Sequence, residues 1–286
     1  MAVCETCFRR CDLKEGQTGF CGGRVCENGT VTAKNYGRVT ALALDPIEKK
    51  PLYHFHPGGL ILSVGNYGCN LRCPFCQNSG ISWSREALSL GSSADYISPE
   101  QLAEAAVGYR DRGNIGIAFT YNEPLIGWEY VRDTAKLVHE AGMCSVLVTN
   151  GTASLAVLEE LAPCIDAVNI DLKGWSERYY RDVLGGDRDM VLAFIRRAVQ
   201  LCHVELTTLI VPGENDSEEE MLELSSWIAG LGNVYGGRTG KEIPLHISRF
   251  FPRYHMTDKR PTEVRKVYAL VKAAEKNLRY VCPGNC

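Results

Sequence analysis

Residues 65–78 read GNYGCNLRCPFCQN and place Cys69, Cys73 and Cys76 on one short stretch. Thiolates so closely spaced are soft ligands for a metal or a cluster. A [4Fe–4S] cluster takes four thiolates, one for each iron. Three cysteines, separated by three and then two residues, leave one iron without a protein ligand. That iron can bind a small molecule directly, as a catalytic zinc keeps an open position for its substrate. The alternative is a structural zinc site that recruits its fourth ligand elsewhere.

Thirteen cysteines in all need an explanation. In a reducing compartment clustered cysteines are more often metal ligands or catalytic groups than disulfides. Cys4, Cys7, Cys11 and Cys21 form a second group, enough for a closed site of zinc or an auxiliary iron–sulfur cluster. The segment around them is rich in glycine and cysteine, too small to bury a core of its own, so a metal is expected to hold it. Cys26 is a spare. Cys144, Cys164 and Cys202 are isolated among apolar residues and read as core. Cys282 and Cys286 flank a Pro-Gly turn and read either as tail thiols or as a thiol reaching an active face. His54 and His56 alternate on a candidate strand, a weaker metal pattern.

Elements must position these groups. LILSVG (60–65), NIGIAFT (114–120), CSVLVTNG (144–151), AVNIDLKG (167–174), VELTTLIVPG (204–213) and PLHISRF (244–250) are nearly continuous apolar runs. Helical periodicity separates them, over 125–141, 155–161, 221–231 and 262–275, and Ser98–Gln101 forms a capping box that starts another helix. Buried strands alternating with helices mean a parallel sheet covered by helices. About six units fit an incomplete barrel or a doubly wound sheet, and the pattern alone leaves both open. LRYVC (278–282) is a candidate last strand. The triad follows the first strand directly, at the C-terminal end where barrels carry their chemistry.

The composition is that of a globular protein, 45% hydrophobic and 23% charged, with a formal net charge of −3. Nothing in that balance asks for nucleic acid as a partner. The opening MAVCETCFRRCD has no apolar targeting run, and no later run reaches membrane-spanning length. A soluble, cytoplasmic protein without a membrane partner is expected.

With CNLRCPFC, and Phe75 just before the last cysteine, the chain resembles the radical SAM superfamily. The resemblance implies a partial (β/α)6 TIM-type barrel over 59–286, with residues 1–58 as a Cys-rich N-terminal extension. It implies that the amino and carboxylate groups of S-adenosylmethionine chelate the open iron. An electron then splits that cosubstrate into methionine and a 5′-deoxyadenosyl radical, which abstracts a hydrogen atom from substrate. TYNEP (120–124) stands where the superfamily has a GGE-like segment that binds the cosubstrate's amino group. Tyr121 and Asn122 replace the glycines, and Glu123 is kept. VTNG (148–151) and IDLKG (170–174) are similar to the strand ends of glycyl-radical-enzyme activases such as pyruvate formate-lyase activating enzyme. The implied cosubstrate residues are Phe75, Tyr121, Asn122, Glu123, Asn150, Asp171 and Lys173. The N-terminal cysteines, YGRVTALALDPIEKKPLYHFHPG, PLHISRFFP and GNC resemble the radical SAM member of the AmmeMemoRadiSam group. A flavodoxin- or ferredoxin-type one-electron donor is implied. The substrate, small molecule or protein, stays open.

Three functions are therefore expected to compete: a radical SAM enzyme on an unidentified substrate, an activase that installs a glycyl radical on a partner protein, and a non-catalytic zinc or iron–sulfur binding protein. A small-molecule enzyme should have a capped mouth, with the DPIEKKPLYHFHPG loop as the candidate cap. An activase should have an open one.

Overall fold

The apolar runs become parallel strands covered by helices. A computed structural model describes residues 1–286. Four short strands, β1 (Ala2–Val3), β2 (Asp12–Leu13), β3 (Arg24–Glu27) and β4 (Thr30–Ala33), make two antiparallel pairs in the N-terminal segment. One eight-stranded sheet follows: β5 (Ala41–Pro46), β6 (Leu60–Gly65), β7 (Asn114–Phe119), β8 (Cys144–Thr149), β9 (Ala167–Asp171), β10 (His203–Ile210), β11 (Leu245–Arg249) and β12 (Val281–Gly284). The helices are α1 (Ser79–Ser82), α2 (Arg85–Ser92), α3 (Pro99–Gly108), α4 (Trp128–Glu140), α5 (Leu155–Leu161), α6 (Arg188–Leu201), α7 (Glu218–Ala229) and α8 (Val264–Ala274).

Strand order in the sheet follows chain order from β5 to β12, without a reversal. A doubly wound sheet reverses direction at a switch point. The order here is singly wound, as in a barrel, and the two edge strands do not pair, so the barrel is partial. Two strands extend the six-unit expectation. β12 adds a seventh parallel strand, shifted from the expected 278–282. β5, from the stretch assigned to the extension, runs antiparallel to β6 from Ala41 opposite Gly65 to Pro46 opposite Leu60. The Ser98 capping box forms as read, with Ser98 and Gln101 exchanging side-chain-to-backbone bonds at the start of α3.

Strand residues alternate between two cores. Leu62, Val64, Phe119, Leu147, Ile170 and Leu206 belong to the large core shared with the helices. Ile61, Ala118, Val146 and Ala167 point inward and meet Ile47 and Leu52. Small inward side chains leave room for a plug, and the DPIEKKPLYHFHPG loop supplies it. This loop joins the bottom of β5 to the bottom of β6, so it fills the floor of the barrel and not the mouth. Glu205, fully buried near the start of β10, accepts the backbone N–H groups of Tyr53 (3.0 Å) and His54 (2.7 Å). Its carboxylate also meets Nε2 of His246 at 2.7 Å and of His203 at 3.0 Å. Asn169 donates to the Pro51 carbonyl at 2.8 Å. The expected cap at the mouth is thus corrected: those polar floor residues need the loop's backbone to satisfy them. His54 and His56 occupy this turn and not a strand. His54 stacks on Tyr280, and His56 lies 3.8 Å from the Cys144 sulfur. Cys164 and Cys202 are buried as expected, while Cys144 is half-buried.

The N-terminal segment docks beside the mouth. Arg24, 5% exposed, forms two bonds to the Glu129 carboxylate on α4, at 2.7 and 2.6 Å. Ser154 donates its N–H to the Thr6 carbonyl at 2.8 Å. No helix is long and apolar enough to cross a membrane.

Candidate functional site

The loop after β6 carries the three cysteines at the C-terminal end of the strand. Cys73 is buried, and Cys69 and Cys76 are partly exposed. The Leu71 N–H lies 3.4 Å from the Cys69 sulfur, Asn150 Nδ2 lies 3.8 Å from it, and the Ser82 hydroxyl is 3.6 Å from the Cys76 sulfur. Burial pushes the Cys69 thiol well above its ordinary range, with Glu123 adding to the effect. Burial likewise raises Cys73 to about 11, with Lys173 opposing it. Thiols so buried stay neutral until a metal draws them into the thiolate form.

Neighbouring strand ends converge on this loop. At the end of β7, Asn122 Oδ1 accepts the Asn66 N–H at 3.0 Å, and its Nδ2 donates to the Gly68 carbonyl at 3.2 Å. Asn78 donates to the Tyr121 carbonyl at 2.8 Å. Glu123 is 2% exposed and is held by three donors: the Leu125 N–H at 3.1 Å, the Thr149 hydroxyl at 2.6 Å and the Asn150 N–H at 2.8 Å. It therefore caps the turn Pro124–Gly127 and fastens the end of β8. Burial raises its carboxyl to about 7, against the pull of those donors.

Asn150, after β8, donates to Asn70 Oδ1 at 3.0 Å and accepts the Thr152 N–H at 2.9 Å. Its amide bridges two loops instead of standing free. Asp171 ends β9 and pairs with Lys173 just beyond it, with Lys173 Nζ 2.7 Å from Asp171 Oδ2. Burial alone would lower the Lys173 ammonium, but Asp171 and the Cys73 sulfur together keep it above the usual lysine value. Phe75 packs edge-on against Phe250, centroids 6.1 Å apart, and belongs to the core. Tyr179 opens a π-helical turn, Tyr179–Leu184, and is fully buried. Its hydroxyl has no partner in the protein and lies within electrostatic reach of Cys73. An orphaned hydroxyl and buried thiols are what a site built around a further group leaves behind. The donor set, three cysteine sulfurs approached by amide and hydroxyl groups, fits an iron–sulfur cluster with one open iron.

Several contributors escaped the sequence reading. Arg9 and Arg72 both stack on Phe20, 3.7 and 3.9 Å from the ring centre, and Arg72 donates to the Cys69 carbonyl at 2.7 Å. Two cations beside the loop suit an anionic cluster. An arginine in CNLRC was visible, but its stacking partner fifty residues away was not.

Cys4, Cys7, Cys11 and Cys21 border one small cavity together with Arg9 and Arg24. Burial raises the Cys7 and Cys21 thiols, against the pull of the backbone N–H groups of Arg9 near Cys7 and of Gly23 and Arg24 near Cys21. No three His, Cys, Asp or Glu side chains converge as the ligands of one ion would. Zinc would require the four to close in, whereas a cluster spreads its ligands one per iron.

Comparison with known proteins agrees with this arrangement. The family model described as the radical SAM superfamily matches residues 64–225. The chain is 38% identical to an uncharacterized protein of Methanocaldococcus jannaschii over 285 residues, 99% of this chain and 80% of the relative. It is 26% identical to the pyruvate formate-lyase-activating enzyme of Clostridium pasteurianum over 171 residues, 58% of this chain and 68% of that one. A crystallised domain of a pyruvate-formate lyase-activating enzyme from Bacteroides vulgatus superposes with a TM-score of 0.51 at 16% identity. It covers 59% of this chain and 99% of its own, a likeness of fold.

Proposed function

The chain belongs to the radical SAM superfamily of enzymes, and from that premise we propose that Cys69, Cys73 and Cys76 bind a [4Fe–4S] cluster whose open iron takes S-adenosylmethionine. When bound, the cluster supplies the electron that cleaves this cosubstrate to methionine and a 5′-deoxyadenosyl radical, for hydrogen abstraction from substrate. The observation that carries the reading is convergence. The triad loop is bonded to the end of β7 at Asn122 and approached by Asn150 after β8, and the Asp171–Lys173 pair acts electrostatically on Cys73.

Each residue has a role in that site. Leu71 N–H and Asn150 direct donors at the Cys69 sulfur and stabilise it as a thiolate. Lys173 offers a retained positive charge for a carboxylate, and Asp171 keeps that charge in place. Glu123 holds the ends of β7 and β8 in register, so its part in amino-group binding is to position the strand ends. Phe75 and Phe250 exclude water behind the triad. Cys4, Cys7, Cys11 and Cys21 hold a second metal, zinc or an auxiliary cluster, next to the triad loop.

One observation favours a second reading. The loop expected to cap the mouth lies at the floor, which removes the feature that argued for an enclosed small-molecule pocket. An activase presented with a segment of a partner protein gains from this, in line with the activating enzymes among the relatives. The test is anaerobic reconstitution with iron and sulfide, reduction, and assay of 5′-deoxyadenosine with and without glycine-containing peptides. Peptide-stimulated release with hydrogen transfer to the peptide supports the activase. Release without any peptide dependence supports a small-molecule substrate.

A further inference from the structure

Tyr121, two residues past the end of β7, has a left-handed backbone, φ 72°. Glycine enters that region freely, and a residue with a β-carbon does so only when its surroundings hold it there. The holders are visible. The Tyr121 hydroxyl donates to Asp45 Oδ2 at 2.8 Å. Lys50 Nζ donates to the same oxygen at 2.8 Å and lies 4.7 Å from the centre of the Tyr121 ring. The Lys50 side chain is 3% exposed and that of Asp45 13%. Burying such a pair is costly and is weak evidence for stability alone. Here both charges close on one residue with an unfavourable backbone.

The backbone of that residue is tied to the triad loop. Its carbonyl accepts from Asn78, two residues past Cys76, and its neighbour Asn122 bonds to Asn66 and Gly68. The conformation at residue 121 therefore sets how the end of β7 meets the loop. Asp45 reaches it because β5 pairs antiparallel with β6, with Asp45 opposite the inward-facing Ile61.

We propose that Asp45 and Lys50 are positioning residues for the cosubstrate: they hold Tyr121 in the left-handed conformation and so shape the strand end that receives the amino-acid part of S-adenosylmethionine. This rests on the assignment of the triad as the cluster site. The side chain of Tyr121 acts as a handle, doing by anchoring what a glycine does by having no side chain.

The test is equilibrium binding of S-adenosylmethionine to the oxidised, reconstituted holoenzyme, which does not turn over. Tyr121→Ala loses the handle and keeps the β-carbon, so it binds about tenfold more weakly than the parent. Tyr121→Gly recovers most of that loss. Asp45→Asn weakens binding about fivefold in the parent and less than twofold when Tyr121→Gly is already present. Equal weakness of the Ala and Gly variants, or the same cost of Asp45→Asn in both backgrounds, overturns the proposal. Should Asp45→Asn not fold, the Ala–Gly comparison decides alone. A parent that holds four irons and binds no S-adenosylmethionine overturns the site assignment and this proposal with it. A parent that binds, with Asp45→Asn unaffected, overturns the positioning role only.

Discussion

The N–H of Cys69 donates to the carbonyl of Cys21 at 3.1 Å. One hydrogen bond thus joins a member of the N-terminal quartet to a member of the triad. A second bond reinforces the link, since Arg9 Nε, between Cys7 and Cys11, donates to the Asn70 carbonyl at 3.2 Å.

Removing the N-terminal metal should therefore be felt at the triad. A Cys4→Ala/Cys7→Ala variant loses the second metal and exposes residues 1–33 to protease. It also shifts the electron paramagnetic resonance signal of the remaining cluster. Elemental analysis of the parent separates the alternatives: one zinc per chain, or about eight irons where one cluster would give four. A variant with unchanged metal content and protease resistance would refute the second site.

Glu205 sets an acid limit on the floor of the barrel. Burial alone would raise its carboxyl, but His203, His246 and the His54 N–H outweigh burial and bring it from 4.5 down to about 2. Between those values the folded state holds fewer protons than the unfolded one. The stabilisation is complete above about pH 4.5 and is lost as pH falls through 2, with a size of about 3 kcal/mol. Denaturation midpoints of the apo-protein should show this slope, and Glu205→Gln should flatten it. Glu205→Ala strands the Tyr53 and His54 N–H groups and should cost about 3–5 kcal/mol.

Glu123→Ala should cost both stability and binding. It leaves three buried donors without their acceptor, about 1–3 kcal/mol for a single unsatisfied group. Thermal melts should fall by several degrees, and S-adenosylmethionine affinity should fall with them. An affinity loss without any loss of stability would instead mean that the carboxylate touches the ligand directly.

Lys173→Met removes the cation beside Cys73 and leaves Asp171 unpaired. A charge-assisted contact is worth about 1.5–3 kcal/mol, so binding of S-adenosylmethionine should weaken by at least tenfold. Thermal stability should change little, because Asp171 is one-third exposed. Parent-like affinity would remove Lys173 from the site.

The parts legible in the sequence are those set by local spacing. The triad sits on its loop, Asp171 at the end of β9 meets Lys173 two residues on, and the Ser98 capping box starts its helix. Relationships across the sheet were not legible. Glu205 meets Tyr53 and His54 about 150 residues away in the chain, so nothing local said that the intervening loop is a floor. Pro283 and Gly284 read as a turn, yet they lie in β12. That strand is at the sheet edge, where a proline without an N–H is tolerated. Helices α1 and α2 were missed because four and eight residues give too few turns for a helical period to stand out in the sequence. Tyr121 stands where the resemblance has a glycine. Its backbone takes the glycine-like conformation because Asp45 and Lys50, some seventy residues earlier, hold it.

The most direct test of the central claim is the electron paramagnetic resonance spectrum of anaerobically reconstituted, reduced protein before and after S-adenosylmethionine is added. The account predicts a reduced [4Fe–4S] signal that changes on addition, and the loss of both signal and 5′-deoxyadenosine formation in Cys69→Ala, Cys73→Ala or Cys76→Ala. A signal indifferent to S-adenosylmethionine, or a triad that holds only zinc in anaerobically purified protein, would contradict it.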